Sequence, residues 1–158
     1  FKKMFGNLSF FYKNKFKILD RLFVPLKKMH DFNVYPYKPN QMSLLKKNKH
    51  SQNIAIICDH YYKKSNPVIF LNQKYQIYNS PAILHKKLNI PIYVYFGKYD
   101  FENMEFIQKI IPIKTELDGE SVNSITQKIA DVFSQEINNN PEQYLWSQLY
   151  FKKYSKNI

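Results

Sequence analysis

Cysteine, glycine, arginine and long apolar runs are all scarce in this sequence of 158 residues, and each scarcity excludes something. The single cysteine, Cys58, rules out an internal disulfide and a metal site built from clustered cysteines. Three glycines are too few for a glycine-rich phosphate-binding loop. The longest uncharged apolar runs have about five residues, whereas a membrane span needs about 20 and a secretory signal core about 7–15. These residues therefore contain neither kind of segment.

Basic residues dominate the charge, and they are unevenly distributed. The net charge is +12, and only one of the 24 basic residues, Arg21, is an arginine. Residues 1–98 hold 18 basic residues against three acidic ones, whereas residues 99–158 hold six against nine. An AT-rich coding sequence would explain the abundance of lysine, but it would spread lysine evenly. The basic first part therefore indicates an anionic partner, which is nucleic acid, phospholipid headgroups or a phosphorylated substrate.

Short apolar runs predict the strands. They lie at residues 8–12, 34–35, 54–58, 68–71, 90–96 and 106–113. The run at residues 54–58 is apolar throughout and rich in β-branched side chains, which predicts a central parallel strand buried on both faces.

Three-to-four spacing of apolar residues predicts the helices, which cover residues 15–29 and 41–49 and two later segments. Ser80 and Ser124 are the expected caps of those later helices, and Asn140 followed by Pro141 predicts the start of another. Strands that alternate with helices predict one α/β domain over residues 1–158, with a single, mostly parallel open sheet flanked by helices.

Catalytic motifs are scarce. The four histidines, His30, His50, His60 and His85, have no carboxylate five residues later, so no His-x4-Asp/Glu dyad is present. Asp59 and His60 directly follow a predicted buried strand, and open α/β sheets place ligand sites at that end of their strands. The alternative is that Asp59 caps a turn and His60 is a solvated loop residue. Cys58 fits a small buried hydrophobe better than a reactive thiol.

Three local patterns, in order, resemble the lipid A biosynthesis acyltransferases, the lauroyl and myristoyl transferases of the lysophospholipid acyltransferase superfamily. The first is Tyr12-Lys13-Asn14 leading to Ile18-Leu19-Asp20-Arg21, and the second is Ile56-Ile57-Cys58-Asp59-His60. The third and most specific is Asn140-Pro141-Glu142-Gln143-Tyr144-Leu145-Trp146, which is similar to the family's C-terminal Pro-Glu-Gln signature. Lys13 stands where the family has arginine, and after Trp146 only the aromatic residue and Lys152 of the family's basic tail remain.

The resemblance implies an acyltransferase that moves a fatty acyl chain from acyl-acyl-carrier-protein to a hydroxyl or hydroxyacyl group of a lipid A precursor. The chain begins at Phe1 without a methionine, and we expect it to be the C-terminal two-thirds of one acyltransferase domain, missing its first elements. The His-x4-Asp/Glu dyad is then expected upstream, so we expect no catalytic residue, metal or cofactor here. The resemblance assigns substrate binding to Tyr12, Lys13, Asp59, His60 and Lys152, and packing to Trp146.

The implied partners are acyl carrier protein, a phosphorylated glycolipid and an anionic membrane surface, without nucleic acid. The implied location is the cytoplasmic face of the bacterial inner membrane. Two alternatives remain open at this point. One is a basic RNA-binding or ribosomal protein from an AT-rich genome, since a net charge of +12 and 17% aromatic residues suit phosphate contacts and base stacking. The other is a glycerophospholipid acyltransferase of the same superfamily.

Overall fold

The computed structural model describes residues 8–12, 33–36, 53–59, 61–116, 118–144 and 146, with the backbone alone for 8–12 and 33–36. The chain divides into two compact units, Phe1–Ile57 and Cys58–Ile158. Both helices and strands are present, which confirms the α/β class.

The first unit contains a three-stranded parallel sheet. Its strands are β1 (Leu8–Tyr12), β2 (Asn33–Pro36) and β3 (Asn53–Ala55), in the order β2-β1-β3. Phe10 of β1 lies opposite Val34 on one side and Ala55 on the other. Parallel neighbours need a crossover of about a dozen residues or more, and residues 13–32 and 37–52 are long enough to supply both. The helices predicted at residues 15–29 and 41–49 lie outside the described residues.

The third strand is shorter and less buried than predicted. Its ladder with β1 ends at the pair Phe10–Ala55, so residues 56–58 continue beyond β3. Ile54 and Ala55 are half-buried, and Ile57 is 70% exposed. The prediction of a strand over residues 54–58 buried on both faces is therefore wrong. Uniform apolar composition does not reveal where the partner strand stops.

The second unit contains two antiparallel hairpins. One joins β4 (Val68–Phe70) to β5 (Gln73–Tyr75), and the other joins β6 (Tyr93–Asp100) to β7 (Glu105–Pro112). The described strands thus form three separate sheets, and the prediction of a single, mostly parallel sheet is not confirmed. Within each hairpin the connection, residues 71–72 or 101–104, is too short for a parallel crossover, so these strands pair antiparallel.

Each hairpin has a local cause for its turn. Leu71 and Asn72 both have positive φ, 51° and 62°, which is the requirement of a two-residue hairpin loop. At the other hairpin, the carboxylate of Asp100 accepts hydrogen bonds from the backbone N–H groups of Glu102 and Asn103, at 3.0 and 3.2 Å. Asp side chains that bond their own following backbone favour a turn.

The described part of the second unit also contains two α-helices, and both start differently from the prediction. Helix α1 spans Ser80–Leu88, with Asn79 at the cap position and Ser80 already helical. Helix α2 spans Val122–Asn139 and is capped by Ser121, whose side chain accepts from the Ser124 N–H at 3.0 Å. The predicted caps Ser80 and Ser124 are therefore wrong by one and three residues. Several Ser and Asn residues near each start offered alternative caps.

The core of this unit joins the first hairpin to α2. Val68, Phe70, Tyr75 and Ile77 are buried together with Ala130 and Ile137 of the helix. The contact also has a polar component, because the Gln127 side chain bonds both the N–H and the C=O of Ile69, each at 2.8 Å. The helix face predicted from apolar spacing is confirmed by the burial of Ile125, Ile129 and Ile137.

Candidate functional site at Asp59 and the Pro-Glu-Gln turn

Asp59 is positioned by the buried residue before it. Cys58 is 5% exposed, and its carbonyl accepts from the Tyr78 N–H at 3.2 Å. Burial, with a smaller contribution from the charge of Asp59, raises the pKa of the Cys58 thiol to about 12. The thiol therefore stays protonated at neutral pH and lacks the thiolate that nucleophilic chemistry requires. This confirms the interpretation of Cys58 as a small buried hydrophobe.

Tyr144 contacts Asp59 from the far end of the unit. Its hydroxyl donates to Asp59 Oδ2 at 3.3 Å, between residues 85 positions apart. Burial raises the pKa of the Tyr144 phenol, and the negative charge of Asp59 raises it further. The phenol is therefore a hydrogen-bond donor at neutral pH, which fixes one oxygen of Asp59. Asp59 is half-buried, so its carboxylate is held without being sealed from solvent.

The turn that carries Tyr144 is the Pro-Glu-Gln segment of the sequence. Pro141–Gln143 form one turn of 3₁₀ helix directly after α2, with Asn140 at the cap position. The sequence predicted a helix that starts here with Asn140 as its cap. The starting position is confirmed, but the element is a single 3₁₀ turn and the Asn140 side chain makes no capping hydrogen bond. Proline suits this starting position because its missing N–H would have had no helical partner, and its φ is already fixed near the helical value.

Gln143 attaches this turn to the edge of β6. Its Oε1 accepts from the Tyr99 N–H, and its Nε2 donates to the Tyr99 carbonyl, both at 2.7 Å. One side-chain amide thus takes the place of a neighbouring strand at Tyr99. The sequence marked Gln143 as part of a family signature but gave no sign of this partner, which lies 44 residues away.

Trp146 stabilises the turn rather than the core. Its indole N–H donates to the Pro141 carbonyl at 2.6 Å, and its ring meets Tyr144 edge-on with centroids 5.1 Å apart. The side chain is 48% exposed. Trp146 therefore packs on its own segment and supports Tyr144, which is itself packed against the buried cluster around Phe70.

Of the five predicted substrate-binding residues, Asp59 is the one whose side chain is described. Tyr12 ends strand β1, and its side chain lies outside the description, as do Lys13, His60 and Lys152 entirely. Whether these residues share a site with Asp59 stays a prediction.

Two further properties concern possible ligands and membranes. Within the described ranges, no three His, Cys, Asp or Glu side chains come together in a way that suits a metal ion. Neither α1 nor α2, the helices of the described part, is long and apolar enough to cross a membrane.

The described histidine that is buried, His85, has a structural role. Its Nδ1 lies 2.7 Å from the Ile90 carbonyl and its Nε2 lies 3.0 Å from Thr115 Oγ1. A carbonyl only accepts, so Nδ1 carries a proton. Both ring nitrogens thus connect α1 to the segment just before β6 and the segment just after β7.

Comparison with known families assigns the class. The family described as bacterial lipid A biosynthesis acyltransferase matches residues 1–153, which is nearly the whole chain. The protein is therefore an acyltransferase by family. It belongs, more narrowly, to the lipid A biosynthesis acyltransferase family, which the three sequence patterns had indicated. No curated protein matches the chain.

Proposed function

We propose that the full-length protein transfers a fatty acyl chain from acyl-acyl-carrier-protein to a hydroxyl or hydroxyacyl group of a lipid A precursor. The observation that carries this proposal is the family match over residues 1–153. The Pro-Glu-Gln turn supports it, because the segment that resembles the family signature most closely also holds Asp59 through Tyr144.

The chemistry requires a base, which the family resemblance assigns to a His-x4-Asp/Glu dyad, and this sequence contains no such dyad. A hydroxyl is a poor nucleophile at neutral pH, so a carboxylate-oriented imidazole takes its proton as the oxygen attacks the thioester carbonyl. The carrier thiol leaves as the new ester forms. We place that imidazole and carboxylate upstream of Phe1. The residues of this chain then bind and orient the substrates, with Asp59 orienting a cationic group and Lys13 and Lys152 contacting phosphate.

The same proposal places the protein at an anionic membrane surface, the cytoplasmic face of the inner membrane. Two features support this location. Residues 1–98 are strongly basic, and each lysine near an anionic surface contributes about 1 kcal/mol of attraction. In addition, one face of the β6–β7 hairpin carries exposed, uncharged side chains, including Tyr93 (59% exposed) and Phe106 (56% exposed). Amphipathic aromatic rings favour the membrane–water interface.

The deciding experiment begins with the coding sequence upstream of Phe1. We expect a His-x4-Asp/Glu motif shortly before Phe1, and its absence would count against the proposal. The full-length protein is then incubated with acyl-acyl-carrier-protein and a phosphorylated lipid A precursor, and the product is weighed by mass spectrometry. We expect one added acyl chain, and none after the histidine of the dyad is replaced by alanine.

Competing acceptors separate the alternatives. Transfer to lysophosphatidic acid in preference to the lipid A precursor would indicate a glycerophospholipid acyltransferase. For the location, flotation with anionic vesicles is compared with salt-titrated binding to RNA. A steep salt dependence with stronger binding to RNA would instead support the RNA-binding alternative.

A further inference from the structure

The second unit contains a cleft whose described lining includes none of the predicted site residues. Its volume is about 310 Å³, at the small end of the range for small-molecule sites. It lies between the β6–β7 hairpin, the end of α2 and the Pro-Glu-Gln turn. The lining includes Phe96, Lys98, Lys109, Glu136, Asn140 and Gln143.

Two lysines from neighbouring strands face this cleft. Lys98 pairs with Ile107 in the hairpin register and Phe96 pairs with Lys109, so the two lysines are diagonal neighbours on one face of the sheet. Diagonal neighbours have Cα atoms about 7–8 Å apart, within reach of long side chains. Both ammonium groups can therefore approach one ligand from the same wall.

Among the residues that line the cleft, one carboxylate offsets these two positive charges. Lys109 Nζ pairs with Glu136, whose side chain is 9% exposed, and Lys98 Nζ donates to the neutral Asn140 Oδ1 at 3.2 Å. The lining therefore has a net positive charge. Lys98 is exposed and donates to a neutral side chain, and the carboxylate that acts on it, Asp100, does not line the cleft. An anion in the cleft can therefore replace Asn140 as the partner of Lys98.

The remaining lining suits a ligand that combines an anion with a less polar body. The amides of Asn140 and Gln143 lie at one end, and the walls are formed by Phe96, Ile137 and Tyr144. Such a mixture of a few polar groups with aromatic and aliphatic walls is typical of sites for small organic ligands.

We propose that this cleft binds a phosphomonoester, with Lys98 and Lys109 contacting its oxygens. The inference rests on the proposed function, in which the ligand is the phosphorylated sugar of the acyl acceptor. A doubly charged phosphomonoester matches two ammonium groups better than a carboxylate does, and lysine binds phosphate as a point charge. Lys98 and Lys109 are thus added to the residues that bind substrate.

The test uses the 158-residue chain and three probes: glucosamine 1-phosphate, inorganic phosphate and unphosphorylated glucosamine. Binding is followed by amide shifts in heteronuclear NMR and by calorimetry. We expect glucosamine 1-phosphate to shift the amides of residues 98, 109 and 140 and to bind more tightly than inorganic phosphate. Glucosamine should leave these amides unchanged. Stronger binding of inorganic phosphate would identify a site for the free ion and overturn the assignment to a phosphorylated sugar.

Three variants locate the binding. K98M removes the exposed cation and should weaken the binding of glucosamine 1-phosphate about tenfold, since charge-assisted hydrogen bonds are the strong ones. E136Q removes the competing carboxylate and frees Lys109, so it should strengthen binding severalfold. K74M is the matched control, because Lys74 is an exposed strand lysine that does not line the cleft. The K74M variant should bind glucosamine 1-phosphate as tightly as the parent chain does.

The two proposals fail separately. If K98M and E136Q bind like K74M, or if neither phosphate probe shifts the cleft residues, the assignment of this cleft is wrong, whatever the full-length enzyme does. The binding assay needs neither acyl donor nor dyad. An absence of acyl transfer alongside cleft binding would therefore overturn the proposed function and leave the phosphate site standing.

Discussion

Removing the side-chain amide of Gln143 should detach the Pro-Glu-Gln turn from β6. The amide makes two hydrogen bonds of 2.7 Å with the backbone of Tyr99, and each such bond contributes about 0.5–1.5 kcal/mol net. Because Gln143 is exposed, water replaces part of the loss in Q143A, and we expect a reduction in the free energy of unfolding of about 1–2 kcal/mol. Urea unfolding monitored by Trp146 fluorescence measures it.

Hydrogen exchange gives a second and more local measurement. The Tyr99 N–H faces Gln143, so its exchange should accelerate in Q143A more than that of amides inside the β6–β7 ladder. The matched control is Q108A, which truncates an exposed glutamine on β7 that is opposite Gly97. If Q143A and Q108A unfold at the same urea concentration and the Tyr99 amide stays protected, the attachment described here does not exist in solution.

A carboxylate at this position tests whether both halves of the amide matter. In Q143E one oxygen still accepts from Tyr99, but the other faces the Tyr99 carbonyl without a proton to donate. Q143E should therefore be at least as unstable as Q143A at neutral pH. Below a pH of about 4 the added carboxyl is protonated, so Q143E should regain stability relative to Q143A at the same pH.

Three other variants or conditions probe the second unit. Cys58 should react with a thiol reagent only at the rate of unfolding, because it is buried and its pKa is raised to about 12; complete labelling within seconds in buffer would contradict this. Hydrogen bonds, of which the one from Lys128 has the largest effect, lower the pKa of Glu120 to about 2. The ionised Glu120 therefore contributes fully to folding stability above the unfolded pKa of about 4.3, and this contribution is lost as the pH falls toward 2. Thermal unfolding of E120Q should accordingly match the parent chain at low pH and fall below it at pH 6. G97A should displace the Phe106 ring, since an added Cβ would lie 2.4 Å from Phe106 Cζ, and the change is detectable in the ring's NMR shifts.

The location of strands and helix faces followed from local pattern. Apolar runs predicted β1, β2, β4 and β7 near their observed bounds and β6 three to four residues too early, and three-to-four spacing predicted the buried face of α2. Strand β5, with the polar sequence Gln73-Lys74-Tyr75, carries no such pattern and was not predicted. Its pairing with β4 depends on the positive φ of Leu71 and Asn72, which a Leu-Asn pair only weakly signals.

Within the candidate site, the Pro-Glu-Gln turn was likewise predictable in its position but not in its contacts. Asn140 and Pro141 predicted its start, and the whole motif indicated the family that the comparison then confirmed. Its contacts did not follow from the motif. Gln143 bonds Tyr99 and Tyr144 bonds Asp59, and both partners are remote in the chain. Lys98 and Lys109 likewise read as two unrelated surface lysines until the hairpin register placed them side by side.

Sequence by itself determined the α/β class, the family, the uneven charge and most of the strand positions, because periodicity, turn residues and motifs are properties of neighbouring residues. Tertiary structure decided which strands pair, where β3 stops, which residue stands at the cap of each helix and which side chain meets Asp59. Those outcomes depend on contacts between residues far apart in the chain, and competing local choices of similar free energy, such as neighbouring Asn and Ser residues that could each cap a helix, are settled only when the chain packs.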